Sequence, residues 1–398
     1  MERMKIMIIE KNLSGGGAER VATNLATCLS RTEDVILVVF NAKNNTYGST
    51  VKTIDLHMPE SKGKMKFLWH LKARNKVAKI KKEFGITHSI SFMAEPDLAN
   101  VMSRGTEKVI ISVRNKHSSS SPSKLHFIKN AWVFKQADAI IAISKMVKKD
   151  LVDAFGVNEQ RITPIYNPCY IETINSKIHE NVFTYEERKL FKDNKGKIVI
   201  TAGRLELQKG QWHLIRAFKK VVSIVPEAKL IILGQGSEKK YLETLVKELN
   251  LEDNIKMLGY KVNPYPYLAH SDLFAFTSVF EGLGNILVEC MACKLPVVSS
   301  DYPYGAKELL CPTEKFDEFV QDIEFAEFGV LVPQMSKEKY SAKDRLDKSE
   351  ECMADAIVRL LQDDELREEY RKRIEMRGND FAPDVITEQW LSVLHNIK

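Results

Sequence analysis

Long apolar runs are missing from this chain of 398 residues. No stretch approaches the ~20 consecutive apolar residues that a spanning helix needs, which excludes a helical membrane anchor. The short run Ile6-Met-Ile-Ile9 follows Lys5 and lacks a small-residue cleavage site, so it reads as a first strand rather than a signal peptide. The protein is therefore expected in the cytosol. Cysteine is sparse, with six residues scattered along the chain. Cys290-Met-Ala-Cys293 is the one close pair, and neither a second pair nor histidines at ligand spacing follow it. That excludes a zinc site of ordinary pattern and favours inert packing of both thiols over a redox pair. No helix-turn-helix, zinc or RNA-binding signature is present, so nucleic acid is not an expected partner.

Length and ordinary globular composition favour two domains. The first half alternates short apolar strands (Ile6–Ile9, Val35–Phe40, Thr87–Phe92, Val109–Val113, Ala139–Ile143) with amphipathic helical stretches. A turn at Ile165-Tyr-Asn-Pro168 and a polar connection over Ser176–Lys197 lead to a second alternation. Its strands are Ile198–Ala202, Lys229–Leu233, Ile255–Leu258, Leu273–Thr277 and Pro296–Ser299. Such βαβ alternation predicts an α/β protein of two Rossmann-like domains, each with a parallel sheet, facing one another across a cleft. The expected division is residues 1–170 and 171–382.

Charge is uneven. Residues 1–170 carry 27 Lys and Arg against 15 Asp and Glu, whereas the rest carries 32 against 38. The basic half is expected to meet something anionic. Its clearest source is Ser61–Gly85, with nine Lys or Arg, one acid (Glu83) and interspersed Met65, Phe67, Leu68, Trp69 and Leu71. Two readings stay open. A basic, aromatic helix can lie on an anionic membrane, or its apolar side can pack on the sheet behind a solvated lysine face.

Glu281 and Glu289 are the most informative pair. They stand in Glu281-Gly-Leu-Gly-Asn-Ile-Leu-Val-Glu289, directly after an apolar strand. Gly282 and Gly284 read as the turn, and a helix is expected from Asn285. One carboxylate is then held at the helix mouth and the other about one turn inside, around free N–H groups that suit a phosphate. Carboxylates for hydroxyls and amides for phosphate suggest a nucleotide sugar. Arg204 and Lys209, with Gly203 and Gly210, follow a strand and supply cations for a departing diphosphate. Ser14-Gly-Gly-Gly17 follows the first strand, where glycines let backbone approach a ligand. Unlike the dinucleotide fingerprint, it lacks the later third glycine.

These motifs together resemble the retaining glycosyltransferases of family 4, of GT-B fold. Glu281 and Glu289 match the E-x7-E motif. Ser14–Arg20 resembles the family's glycine loop, and Ala202-Gly-Arg-Leu205 with Lys209-Gly210 its phosphate-binding Arg and Lys. Leu233-Gly-Gln-Gly236 and Leu258-Gly-Tyr260 are further landmarks. The resemblance implies that Glu289 accepts from ribose hydroxyls and Glu281 contacts the donor sugar. It places Gly16 and Gly17 near the diphosphate or acceptor, Gly203, Gly284, Asn285, Ile286 and Leu287 near the phosphates, and Tyr260, Val262 and Asn263 near the base. Relatives carry a His after the strand that ends at Val113. Here Arg114 falls at that position and His117 follows, and Arg114 is taken as the catalytic-site residue beside Arg204, Lys209 and Glu281.

No Asp-x-Asp closes a predicted strand, which disfavours the metal-dependent GT-A architecture, so neither metal nor other cofactor is expected. The resemblance implies a UDP-linked hexose or N-acetylhexosamine donor. It implies a lipid-linked saccharide acceptor, a role in cell-surface polysaccharide biosynthesis, and a peripheral position at the inner face of the plasma membrane. It favours the membrane reading of Ser61–Gly85, and the segment after Pro383, about 383–398, is expected to return to the first domain. The alternatives are a non-catalytic partner subunit of the same fold and a nucleotide-sugar epimerase.

Overall fold

The computed structural model describes residues 3–13, 17–42, 50–59, 66–115, 118, 123–193, 197–312 and 315–397. The chain divides into two compact units, Met1–Pro168 with Pro383–Lys398, and Cys169–Ala382.

In the first unit the order is β1 (Lys5–Glu10), α1 (Gly17–Leu29), β2 (Asp34–Val39), β3 (Lys52–Asp55), α2 (Lys66–Glu83), β4 (His88–Phe92) and α3 (Ala94–Met102). It continues through β5 (Lys108–Val113), α4 (Lys124–Gln136), β6 (Ala139–Ala142), α5 (Lys145–Phe155) and β7 (Ile162–Pro164). All seven strands pair in parallel, in the order β3-β2-β1-β4-β5-β6-β7. The sheet is buried on both faces, as parallel sheets require, and Ile6, Met7, Ile8 and Ile9 of β1 are wholly enclosed. Helix α1 covers one face. Ala73, Val77 and Ile80 of α2 pack on the other with Ala99 of α3. The packing role of the basic segment is thus observed for its central turns, and residues 61–65 lie outside the described residues.

The second unit opens with α6 (Ile171–Ile178) and α7 (Tyr185–Asp193). Next come β8 (Ile198–Ala202), α8 (Gln211–Ile224), β9 (Lys229–Leu233), α9 (Lys239–Glu248), β10 (Ile255–Gly259), α10 (Tyr265–Ala269) and β11 (Leu273–Phe276). The unit closes with α11 (Asn285–Ala292), β12 (Val297–Ser300), α12 (Ala306–Leu310), β13 (Glu324–Ala326), β14 (Gly329–Val332), α13 (Lys348–Gln362) and α14 (Asp364–Gly378). The sheet order is β10-β9-β8-β11-β12-β14-β13, parallel apart from the antiparallel edge strand β13. The last helix, α15 (Pro383–Asn396), belongs to the first unit, where Ile386, Trp390 and Leu394 enter the core beside α1.

Strand order reverses between β1 and β4 in one sheet and between β8 and β11 in the other. At such points the loops leaving the carboxyl ends diverge and open a crevice.

Candidate active site

In the second unit the crevice is built by the loops after β8 and β11. Glycines let these loops meet. Gly210 adopts φ 60°, and a Cβ there would lie 2.4 Å from the Thr277 carbonyl oxygen. On the loop after β9, which also packs on the β8 loop, a Cβ on Gly234 would lie 1.9 Å from the Gly203 carbonyl oxygen, and one on Gly236 2.3 Å from that of Leu205. Only glycine permits these backbone approaches. The two loops are then tied together. Val279 N–H donates to the Gln208 carbonyl (2.9 Å), and Thr277 Oγ1 to that of Lys209 (3.2 Å).

Across this junction Lys209 Nζ meets Glu281 Oε1 at 2.5 Å, with both side chains largely enclosed. Ser278 Oγ donates to the same carboxylate at 2.9 Å and Gln208 Nε2 at 3.2 Å. Lys209 Nζ also lies 5.1 Å from the centre of the Phe276 ring. Arg204 Nη2 donates to Gln208 Oε1 (3.3 Å), so Arg204, Gln208, Glu281 and Lys209 form one connected chain of polar groups. Two expected catalytic residues are therefore partners of one another. Gln208 and Ser278, which no motif marks, hold them.

Helix α8 starts directly after Gly210 and is fixed from behind. Arg216 Nε and Nη2 donate to the two oxygens of Glu350 at 2.8 and 3.0 Å, and His213 Nδ1 lies 2.8 Å from Glu350 Oε1. His213, Asp347 and Glu350 bring three potential ligand atoms within 4.8 Å of one another. Arg216 already occupies the carboxylate, Asp347 caps α13, and His213 Nε2 faces the Ser336 carbonyl. This is a closed hydrogen-bond network rather than an open metal-ligand set.

Gly284 precedes α11 at φ 86°, and no side chain caps that helix. A Cβ at Gly284 would lie 2.1 Å from Tyr302 Oη, which donates to the Leu283 carbonyl at 2.7 Å. Asn285 and Ile286 form the first turn of α11, and the Leu287 N–H donates to the Gly284 carbonyl at 2.9 Å. Glu289 sits half-buried one turn in. Tyr260 and Val262 are exposed after β10. Asn263 is engaged in holding α6 and its exit, since Nδ2 donates to Lys177 O (2.9 Å) and Glu180 Oε2 (2.8 Å). Cys290 and Cys293 are both buried, and burial pushes their thiols up, so they are unreactive packing groups.

In the first unit, Glu10 closes β1, Asp97 lies in the opening turn of α3 and Arg114 follows β5. Arg114 Nη1 donates to Ser112 Oγ at 3.3 Å and its guanidinium lies 5.7 Å from the Phe92 ring centre. Burial lowers its pKa to about 10, and the charge of Glu10 opposes that shift. Burial also raises Glu10 well above the carboxylate range and Asp97 to about 8. Glu10 Oε2, Asp97 Oδ1 and Arg114 Nη2 are enclosed without a hydrogen-bond partner among the described residues. Neither acid was legible as a site residue, because an acid after a strand and another in a helix have no diagnostic spacing. Gly17 opens α1, while Gly16 and His117 lie outside the described residues.

With this geometry in hand, comparison with known proteins is specific. Residues 15–172 match the family described as Glycosyltransferase Family 4, and residues 183–343 match Glycosyl transferases group 1. An uncharacterised glycosyltransferase of Methanocaldococcus jannaschii is 33% identical over 352 residues, covering 83% of this chain and 85% of the relative. The Campylobacter jejuni N-acetylgalactosamine-N,N'-diacetylbacillosaminyl-diphospho-undecaprenol 4-alpha-N-acetylgalactosaminyltransferase is 30% identical, covering 99% of this chain and 100% of its own. Among solved structures, Anabaena HepE with UDP and glucose superposes with a TM-score of 0.75 at 19% identity, over 99% of this chain and 100% of that one. That likeness is one of fold, GT-B.

Proposed function

Because this chain belongs to the family 4 (group 1) glycosyltransferases, we propose that it is a retaining hexosyltransferase. It moves a hexose or N-acetylhexosamine from a UDP-linked donor to a lipid-linked or growing glycan in cell-surface polysaccharide biosynthesis. The observation that carries this reading is the Lys209–Glu281 pair, held across the β8 and β11 loops where strand order reverses. The start of α11, which no side chain caps, stands on the same β11 loop. The lipid-linked acceptor is supported by the full-length similarity to the Campylobacter jejuni transferase.

In the proposed reaction the bond between the anomeric carbon and the diphosphate oxygen breaks first. A bond to the acceptor oxygen then forms on the same face, as the acceptor's hydroxyl proton passes to the departing diphosphate oxygen. Lys209 and Arg204 stabilise the negative charge that grows on the departing diphosphate, and the uncapped start of α11 adds its dipole. Glu281 orients Lys209 and meets the hydroxyls of the donor sugar. Glu289 accepts from the ribose. Arg114, in the first unit, serves the sugar-transfer step. The reaction is proposed to need no metal, since cationic side chains take that electrostatic role. The protein works in the cytoplasm, peripheral to the inner face of the plasma membrane. Ser61–Gly85 contributes to that contact through Phe67 and Leu68, both exposed.

The test is a donor screen by calorimetry and diphosphate release, using UDP-, GDP- and ADP-sugars with and without membrane lipid extract. Binding of one UDP-sugar, with release that rises with the extract, is expected. Lys209→Ala should slow transfer by ~100-fold or more, as for the loss of one preorganised charge-stabilising donor. Glu289→Ala should weaken donor binding about tenfold, the scale of one buried hydrogen bond to a charged group. Wild-type transfer by both variants would remove the proposed site.

A further inference from the structure

The first unit buries ionic groups at both edges of its sheet and treats them differently. At the amino edge, Lys81 and Glu107 are buried as a pair. Lys81 Nζ donates to Glu107 Oε1 at 2.7 Å and to the Asn100 carbonyl at 2.9 Å, and Glu107 Oε2 accepts from the Gly105 N–H at 3.0 Å. Both oxygens of that carboxylate are partnered. At the carboxyl edge the groups are only half satisfied. Glu10 is 0% exposed and Asp97 3%. Glu10 Oε1 accepts from the Lys11 N–H at 2.8 Å, Ser91 hydrogen-bonds Asp97, and Arg114 Nη1 donates to Ser112. Glu10 Oε2, Asp97 Oδ1 and Arg114 Nη2 meet no partner among the described residues. Each group is thus anchored by one atom and leaves another enclosed and unpaired. Interiors hold few such atoms, because each forfeits its hydration for nothing.

The three groups share one place. Glu10 ends β1, Arg114 follows β5, and β4 runs between those strands and leads through a short turn to Asp97. Neighbouring strands stand ~4.8 Å apart, which sets the three groups within about 10 Å across the strand ends. The charges of Asp97 and Arg114 both act on Glu10. Strand order reverses here, between β1 and β4, where open α/β sheets take ligands. The turn itself is strained. Met93 has φ 74° and ψ 156°, a region that is essentially glycine's alone. The Asp97 N–H donates to the Met93 carbonyl at 2.9 Å, so the strained residue sets the turn that carries Asp97.

The unpaired atoms select the chemistry of a ligand. Burial keeps the Asp97 proton to about pH 8 and raises Glu10 in the same direction. A protonated carboxyl offers an O–H donor as well as an oxygen acceptor, and Arg114 adds an N–H donor. A sugar hydroxyl, itself both donor and acceptor, matches that set. A phosphate or carboxylate brings acceptors alone and leaves the carboxyl acceptors unmet.

We propose that Glu10, Asp97 and Arg114 form a subsite that grips an uncharged saccharide by its hydroxyls, with Glu10 and Asp97 as specificity-determining residues. The proposal rests on the transferase reading for its place in the reaction. Hydroxyls of a donor sugar and of an acceptor share this chemistry, and the test separates them.

Saturation-transfer NMR on the full chain, with and without UDP, reads contact with the methyl α-glycosides of glucose, galactose, N-acetylglucosamine and N-acetylgalactosamine, and with methyl α-glucuronide. One neutral glycoside should be contacted. At least one of its monodeoxy forms should bind roughly tenfold or more weakly, as when a buried group loses its partner. Asp97→Ala and Glu10→Ala should weaken the parent glycoside by about tenfold or more for the same reason. Asp97→Asn keeps a donor and an acceptor and should stay within about threefold of the wild type. UDP affinity by calorimetry should be unchanged in all three variants. A glycoside displaced by UDP-glucose or UDP-N-acetylgalactosamine, but not by UDP, lies where the donor sugar lies. One that stays bound beside them lies where the acceptor does. Undiminished contact by Asp97→Ala, equal contact with every monodeoxy form, preference for the glucuronide, or a wild type that binds UDP and contacts no glycoside would overturn the proposal. The monodeoxy series needs only the wild type, so it decides the matter even where an alanine variant fails to fold. A wild type that binds no UDP but contacts a glycoside through Asp97 counts against the transferase reading and leaves the saccharide subsite standing.

Discussion

Asp97 carries a consequence that can be measured without substrate. Burial raises its pKa to about 8, against the smaller opposing effects of a Ser91 hydrogen bond and the Lys129 charge. The folded state therefore keeps this proton at pH values where the unfolded chain, near pH 4, has lost it. The stability that follows is fully present below about pH 4 and is lost as pH rises towards 8. An amide has no proton to lose, so Asp97→Asn should remove this dependence. Relative to the variant, the wild type should lose about 1.4 kcal/mol per pH unit between pH 5 and 7. Denaturant titrations across that range measure the slope, and parallel curves for the two proteins would contradict the assigned protonation. Glu10 is raised in the same direction, chiefly by its own burial and less by the Glu19 and Asp97 charges, and it remains in both proteins.

At the scale of single elements, α11 depends on its entry. Gly284 stands at φ 86° and leaves no room for a Cβ beneath Tyr302. Gly284→Ala should cost about 1–2 kcal/mol from the left-handed backbone alone. Displacement of Tyr302 from the Leu283 carbonyl adds to that. Thermal unfolding reads the stability loss, and UDP calorimetry should show weaker binding because the helix mouth moves. Unchanged values for both would mean that the turn is not needed. Element reading from sequence is reliable where burial is two-sided. The expected runs at Ile6–Ile9, Ile198–Ala202 and Lys229–Leu233 lie within β1, β8 and β9. It is weak at edges. Lys52–Asp55 is a half-exposed edge strand with polar residues, and its pattern resembles a loop. The polar stretch Ser176–Lys197 contains α7, whose start is a capping box. Thr184 N–H donates to Glu187 Oε2 (2.9 Å), and Glu187 N–H to Thr184 Oγ1 (3.2 Å). That T-x-x-E signal is present in the sequence and outweighs the polar composition.

At the scale of the whole molecule, the last helix completes the first unit. Trp390 is 2% exposed, stacks near Phe92 at 6.4 Å between ring centres, and shares a core with α1 and β1. Trp390→Ala should destabilise that unit by ~3–5 kcal/mol, the usual cost of deleting a buried large aromatic. The second unit, with its own core, should still bind UDP. A single thermal transition shifted together with loss of UDP binding would show that the two units do not unfold separately.

The sequence by itself determined the α/β class, the two alternations and the glycine-flanked cations and carboxylates of the second unit, because strand period, turn chemistry and motif spacing are local properties. Only the tertiary structure decided which groups meet. Lys209 and Glu281 lie 72 residues apart, and they pair because strand order reverses between β8 and β11. Glu10, Asp97 and Arg114 interact because β1, β4 and β5 are neighbours in the sheet, although 104 residues separate the first from the last.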